Sequence, residues 1–197
     1  YGVSGTGAAF SSLAPGTDNA VGIMRAALGT TATGRAAISS VNFGVLKFGN
    51  GVALFESDTR IVNLSDATNT YTFRAGFIDS ITAESTDGAF FRYTHGTNSG
   101  RFQAVTRNNG VETATDTGIT VAANTWYDFE ITVNAAGNSV EFKINGSVVA
   151  TNTANIPTAS GRETGYGVMA LRSVGTAAFN CYDCDFIEVT YDFTTPR

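Results

Sequence analysis

With 197 residues, of which 43% are hydrophobic, the chain is long enough to bury a sizeable core within one all-β domain. A net charge of −5, from 12 basic and 17 acidic residues, gives no reason to expect nucleic acid as a partner. No apolar run approaches the roughly 20 residues that cross a bilayer, so we expect no membrane association either. Because the chain opens on Tyr1 rather than Met, we expect a fragment or a trimmed product.

The first segment, residues 1–19, is small, polar and rich in glycine, with a Pro-Gly turn. It has too few large apolar groups to offset its own ordering entropy, so we predict an extended arm or linker. A single domain then follows over residues 20–197. Phe10 and Leu13 can lie on another chain while the arm backbone pairs with a sheet edge, so we expect the protein to self-associate.

Short strands and turns follow one another through the domain. Residues 20–28 combine helical spacing of apolar side chains with flanking glycines, and the short length favours a strand. Further strands are predicted at 36–41, 44–48, 52–55, 57–64, 71–78, 89–95, 101–108, 111–115, 128–133, 140–144, 148–149, 166–172 and 186–193. No segment has a convincing helical pattern.

The clearest strand signal lies in residues 124–151. Phe129, Ile131 and Val133 alternate with polar residues, and the alternation resumes after a turn. Asn145-Gly146 then supplies the φ > 0 pair of a type I′ hairpin turn. One apolar face per strand indicates sheets that are packed on one side and wet on the other. Because so many short strands curl into stacked sheets, we predict an all-β, antiparallel jelly-roll sandwich.

The order W-Y, alternating strand, short turn and V-x-F-x-I-N-G over residues 126–146 resembles the concanavalin-like (laminin-G-like) jelly-roll domains. The wider run FRAGFIDS (73–80), DGAFFRYT (87–94), DTGITVAANTWYDFEI (116–131) and NIPT (155–158) is similar to phage virion proteins that carry this domain. The resemblance implies a non-enzymatic structural or adsorption protein on the virion surface, such as a decoration protein, head fibre or tail-fibre domain. It also implies a trimer, contacts with other virion proteins, and a cell-surface glycan as a further partner.

Two other functions remain open, a carbohydrate-binding lectin module of a secreted protein and a jelly-roll glycoside hydrolase or lyase. The second rests on Asp183, Asp185 and Glu188, a D-x-D-x-x-E pattern. It resembles the E-x-D-x-x-E of laminarinase- and agarase-type hydrolases, in which the two glutamates are nucleophile and acid. Here the first position is an aspartate, and plain alternation turns Glu188 away from the other two unless a bulge intervenes. We therefore predict that these are surface residues and that the protein is not an enzyme.

A basic set is a candidate for ligand binding. It consists of Arg74, Arg92, Gln103 and Arg107, which lie on three consecutive predicted strands. If these strands pair in order, the four side chains line one face of a sheet, and the planar guanidinium groups suit carboxylates and sugar hydroxyls. The alternative is a solvated face with scattered cross-strand ion pairs.

The remaining residues whose side chains could take part in catalysis or metal binding have structural explanations. Cys181 and Cys184 lack the further ligands of a zinc site and are predicted to be buried or half-buried thiols. His95 has no triad-like context and is predicted to lie at the surface. Trp126 is predicted to pack in the core or at its rim. We expect neither a metal nor a cofactor.

Overall fold

A computed structural model describes residues 2–13, 22–40 and 44–194. Their regular structure is fourteen strands and one short 3-10 turn at Asn98–Gly100. The strands are β1 (Gly2–Ser4), β2 (Ala9–Ser12), β3 (Met24–Leu28), β4 (Arg35–Ser39), β5 (Gly51–Ile61), β6 (Tyr71–Ile78), β7 (Gly88–Thr94), β8 (Arg101–Asn108), β9 (Val111–Thr120), β10 (Thr125–Val133), β11 (Val140–Ile144), β12 (Ser147–Asn152), β13 (Gly165–Arg172) and β14 (Phe179–Phe193).

The strands form two antiparallel sheets. Within the described residues, sheet A has the order β1-β4-β13-β6-β7-β8-β9, and sheet B has the order β12-β11-β10-β5-β14-β3-β2. The inward faces of the two sheets pack on each other and bury one large hydrophobic core between them. The predicted all-β, antiparallel jelly-roll sandwich of two stacked sheets is therefore confirmed.

The alternation seen in the sequence explains the core. In β10, Phe129, Ile131 and Val133 are fully buried, and the residues between them face outward. Phe129 packs against Phe91 of sheet A with ring centroids 4.8 Å apart, so the two sheets meet through aromatic contacts. Such a pair contributes about 0.5–1.5 kcal/mol beyond the area that it buries. Asn145 follows with φ 52°, the positive value that the predicted type I′ turn requires.

Several predicted strand boundaries differ from the structure. Residues 52–55 and 57–61 belong to one strand, β5, because Glu56 faces outward and the alternation runs through it without a break, whereas residues 62–64 lie beyond its end at Ile61. The strand predicted at 44–48 is reduced to one bridge between Leu46 and Thr164. Phe48 explains this difference, since it leaves the strand direction to fill the core in a turn.

The described part of the predicted arm pairs with its own chain. β1 extends sheet A by pairing with β4, and β2 extends sheet B by pairing with β3. Phe10 packs on the core and meets the ring of Tyr182 edge-on at 6.4 Å, while the Leu13 amide donates to the Ile23 carbonyl. The Phe10 side chain, which was expected to reach another chain, thus contacts this one, and Leu13 is joined to it through its backbone. The predicted boundary at residues 19 and 20 lies outside the described residues, so the division into arm and domain stays a prediction.

Candidate functional site

The predicted basic set lies on the outer face of sheet A. Because β6, β7 and β8 are neighbours, Arg74 lies directly opposite Arg92, and Arg92 lies directly opposite Gln103. Arg107 is further along β8, opposite Glu112 of β9. The structure thus brings all four predicted residues together, although whether they bind a ligand stays a prediction.

Arg92 is the centre of this cluster. Its Nη1 and Nη2 each donate to one carboxylate oxygen of Glu112 at 3.0 Å, a bidentate pair. Its Nε donates to Oε1 of Gln103 at 3.1 Å, and Nη1 also reaches Oε1 of Glu84 at 3.4 Å. Arg107 adds a second guanidinium to Glu112, at 3.1 Å. Planar donors on neighbouring strands therefore hold the two glutamates in fixed positions.

Glu84 comes from the connection between β6 and β7, residues 79–87, which we call the cover loop. This loop crosses the outer face of sheet A, where Arg74 donates to the Glu84 carboxylate and, at 2.8 Å, to the carbonyl of Ala83. The loop ends are tied together, because Asp79 accepts hydrogen bonds from the amides of Thr86 and Asp87. The cover loop therefore lies directly over the arginines.

A small apolar cluster lies beside the charged one under the same loop. Ile81 of the cover loop packs against buried outward-facing side chains of sheet A. These are Ala37, Ile78, Phe90, Val105 and Met169. This part of the outer face is thus shielded from water, which lowers the local dielectric around the neighbouring arginines.

Burial and charge act in opposite directions on the titratable groups of the cluster. Arg74 is only 2% exposed, and burial lowers the pKa of its guanidinium although Glu84 acts to raise it. Burial also opposes the charge of Arg92, but the hydrogen bonds that it donates to Glu112 and Glu84 leave its pKa raised. The hydrogen bond from Arg92 lowers the pKa of Glu112. Glu112 is therefore an anion at neutral pH.

Some hydrogen-bonding capacity of the cluster is unused. Within the described residues, Nε of Arg74, Nε of Arg107 and Oγ of Ser85 are buried and have no protein partner. A buried donor without a partner costs about 1–3 kcal/mol, so the two guanidinium nitrogens favour the binding of an additional acceptor. The cluster can accommodate further acceptors.

The D-x-D-x-x-E pattern lies on the opposite sheet, in β14. The prediction that all three residues lie at the surface is wrong for Asp183, which is fully buried because it accepts paired hydrogen bonds from Arg25 (2.7 and 2.9 Å) and from Arg60 (2.9 and 2.6 Å). A bulge between Cys184 and Phe186 does turn Glu188 to the same face as Asp183.

The bulge does not create a catalytic pair. Asp183 lies opposite Arg60 and Glu188 lies opposite Glu56, four residues along β5. Four residues of strand span about 13 Å, beyond the roughly 5–9.5 Å that glycosidases require between their two carboxyl groups. Asp185 is the extra residue of the bulge and is exposed.

The other singled-out residues take structural positions. Cys181 and Cys184 are both free and buried, as predicted, and burial raises the pKa of each thiol to about 12. Trp126 lies at the rim on the outer face of sheet B, 37% exposed, with the Arg60 guanidinium 5.1 Å from its ring centroid. His95 is exposed.

Two absences concern the described residues alone. Over 2–13, 22–40 and 44–194, no three histidine, cysteine or acidic side chains are grouped so that they could hold a metal. Across the same ranges no helix has the length and apolar character needed to cross a membrane.

Sequence reasoning missed Glu84 and Glu112. Glu112 could have been found, because the tight turn at Asn109-Gly110 sets the register of β8 and β9 and puts Glu112 opposite Arg107. Glu84 had no such signal. It belongs to a loop, and only the tertiary path of that loop brings it to the arginines.

The two sheets and their order define a jelly-roll sandwich of the concanavalin-like class, as the resemblance implied. The chain belongs to the SO2946-like, C-terminal domain family, whose model matches residues 19–185. None of the curated proteins matches the sequence.

Solved structures share the fold at low sequence identity. A protein of unknown function, SO2946 from Shewanella oneidensis MR-1, is 14% identical with a TM-score of 0.70, covering 98% of this chain and 78% of that one. A family 7 alginate lyase, A1-II′, is 14% identical with a TM-score of 0.57, covering 93% of this chain and 83% of its own. A Bacillus licheniformis β-glucanase is 18% identical with a TM-score of 0.50, covering 87% and 79%. Such identities show a common fold.

The prediction that the chain is not an enzyme is wrong by this comparison. It depended on the resemblance to virion proteins and on the incomplete D-x-D-x-x-E pattern, whereas the solved structures that share the fold include a glucanase and an alginate lyase. No virion protein is among the relatives described above, so the phage part of the resemblance has no support from them.

Proposed function

We propose that this chain is a carbohydrate-active domain that holds a saccharide on the outer face of sheet A. The observation that carries the proposal is the Arg92-centred cluster, in which guanidinium donors and carboxylate acceptors converge on one face. A sugar hydroxyl both donates and accepts hydrogen bonds, so it can bind to a carboxylate and a guanidinium at once. The unpartnered Nε donors of Arg74 and Arg107 are available for hydrogen bonds to the oxygens of such a ligand.

The fold supports the same conclusion. The glucanase and the alginate lyase are named for glycans, and this chain shares their two-sheet architecture. Of the three functions left open by the sequence, we therefore favour the glycan-related ones.

Glycan cleavage is the more specific form of this proposal, and two observations favour it: the fold shared with a glucanase and an alginate lyase, and the ionised state of Glu112. The lowered pKa of Glu112 keeps it ionised, as a nucleophile or general base must be.

The test is a binding and cleavage screen with purified protein and a panel of neutral and acidic polysaccharides. We expect binding that Arg92→Gln weakens at least tenfold, because the central donor of the cluster is removed. The matched control is Arg101→Gln, since Arg101 is on the same sheet and is more exposed, and among the ion pairs of the described residues it has Asp116 alone. Equal binding by both variants would overturn the proposal.

Cleavage is read from new reducing ends or from unsaturated products. Release that persists in wild type and is lost in Glu112→Gln supports the enzymatic form. Binding without any release across the panel would leave a carbohydrate-binding domain and remove the cleavage step.

The virion role keeps the status of a prediction. A structural or adsorption function, a trimer, contacts with other virion proteins, a cell-surface glycan partner and a location on the virion surface were all implied by resemblance. An adsorption protein that binds glycan is compatible with the proposed saccharide site, and binding to whole bacterial cells would test that combination.

A further inference from the structure

One carboxylate of the cover loop is the shared partner of three arginines. Arg74 donates to Glu84, Arg92 reaches it at 3.4 Å, and Arg107 lies 3.6 Å from it. The arginines come from three adjacent strands, whereas Glu84 comes from the loop above them. Three arginines of the sheet thus surround one carboxylate that belongs to the loop.

The charge balance of the cluster depends on that anion. Glu112 pairs with Arg92 and Arg107, so these two arginines have a second carboxylate. Among the ion pairs of the described residues, Arg74 has Glu84 alone, and Arg74 is only 2% exposed. A buried cation requires a compensating anion, so the site needs a carboxylate at this position whatever supplies it.

Glu84 fills this position incompletely. It accepts from Nη2 of Arg74, while Nε of the same guanidinium is buried without a partner. A carboxylate that pairs ideally with arginine takes two parallel hydrogen bonds, as Glu112 does with Arg92. Nε of Arg107 is also without a partner. A carboxylate that accepted hydrogen bonds from these donors would be bound more completely than the carboxylate of Glu84 is.

We infer that the saccharide carries a carboxylate, and that Glu84 occupies the place of this group in the free protein. The inference rests on the proposed function of the outer face of sheet A and names its ligand class, an acidic sugar. When the ligand binds, its carboxylate takes Nε and Nη2 of Arg74, and Glu84 moves out with the cover loop. The charge of the cluster is then the same before and after binding.

The experiment compares a carboxylated ligand with its uncharged ester. Oligogalacturonates and their methyl esters are titrated into wild-type protein, and sialyllactose is a second probe that separates chain uronates from a terminal acidic sugar. We expect wild type to bind an acid form at least tenfold more tightly than the ester. Glu84→Gln, which removes the internal competitor, is expected to tighten binding of the acid severalfold and to change ester binding little.

The matched control is Glu141→Gln, a half-exposed carboxylate paired with Lys143 on sheet B, which should change neither titration. If Glu84→Gln is poorly folded, the side-chain Nε–H resonance of Arg74 in wild type gives the answer, because it must shift when the acid binds. Equal affinity for acid and ester, lost in Arg92→Gln, would overturn this inference and keep the proposed function. Absence of binding to every probe of the wider panel would overturn both.

Discussion

Charged side chains are paired in opposite ways on the outer faces of the two sheets. On sheet A, the arginines of the cluster pair with glutamates, and Arg92 contacts both Glu84 and Glu112. On sheet B, carboxylates lie directly opposite carboxylates. We call the latter set the acidic ladder; it comprises Glu56, Asp58, Asp128, Glu130 and Glu188.

The register of the central strands makes the ladder. Glu56 of β5 has Glu130 on one side and Glu188 on the other, and Asp58 lies opposite Asp128. Like charges directly opposite each other on a sheet are destabilising. Burial is the largest cause that raises the pKa of Glu56. The charges of Glu130 and Glu188 raise it further, while Lys143 acts to lower it. The ladder is tolerated because water and salt screen it.

The comparison shows why charge counts are a poor guide to sites. An acidic chain would suggest that its carboxylates matter most, yet the ladder has no buried, unpartnered group pointing into it among the described side chains. The arginine cluster does, and it also has a loop that shields it. Local pairing and burial therefore separate a binding site from a solvated surface better than net charge does.

The largest expected effect is a loss of stability when Asp183, the buried carboxylate of sheet B, is replaced. Asp183→Asn removes the anion shared by Arg25 and Arg60, and breaking such a buried pair typically costs about 3–5 kcal/mol. Urea unfolding should show this loss of stability. Asp185→Asn, at the exposed bulge, is the control and should change stability by less than about 0.5 kcal/mol. Similar values for both variants would contradict the buried-pair assignment.

On sheet A, replacing Arg92 is expected to cost less stability than replacing Asp183 does. Arg92→Gln removes the bidentate partner of Glu112 and the donor to Gln103, but both acceptors are partly exposed and can bind water. We expect a destabilisation of about 1–3 kcal/mol, the usual range for hydrogen bonds to charged groups. Unfolding of Arg101→Gln gives the exposed reference. A loss as large as that of Asp183→Asn would mean that the cluster is a structural core and not an open site.

The two faces should respond to pH with opposite signs. The pKa of Glu112 is lowered in the folded protein, so its contribution to stability is present above the unfolded value and is lost as pH falls through the folded one. The pKa of Glu56 is raised above 4.5, so its contribution is present below that value and is lost as pH rises through the folded pKa. Unfolding midpoints at pH 3 to 7 measure both.

Glutamine variants separate these contributions. Glu56→Gln should be more stable than wild type at pH 7, with the difference disappearing below the unfolded pKa. Glu112→Gln should be less stable at pH 7, and its deficit should shrink as the pH falls. If both variants shift in the same direction at pH 7, the contrast between the faces is wrong.

The sequence predicted the fold well because period-2 alternation is local. The face of β10 and the turn at Asn145 follow directly from residue order, and pairing consecutive strands was enough to bring Arg74 and Arg92 together. What it missed depends on contacts distant in sequence. The bulge before Phe186 leaves no mark in the alternation, and the path of the cover loop is decided by Ile81 packing on a sheet face.

The smallest expected effect belongs to the single cation of the ladder. Nζ of Lys143 lies 2.7 Å from Glu130 and 3.3 Å from Glu141, and these hydrogen bonds raise the pKa of Lys143. Lys143→Met keeps the apolar stem and removes the charge, so Glu130 faces Glu56 without relief. Exposed pairs are worth about 0.2–1 kcal/mol, so we expect a loss in that range at low salt. Because the repulsion is screened, the loss should shrink in 1 M NaCl, whereas the loss in Asp183→Asn should persist. Unfolding of both variants at two salt concentrations measures this, and a salt-independent loss in Lys143→Met would show that packing of the stem, not charge, holds that part of sheet B.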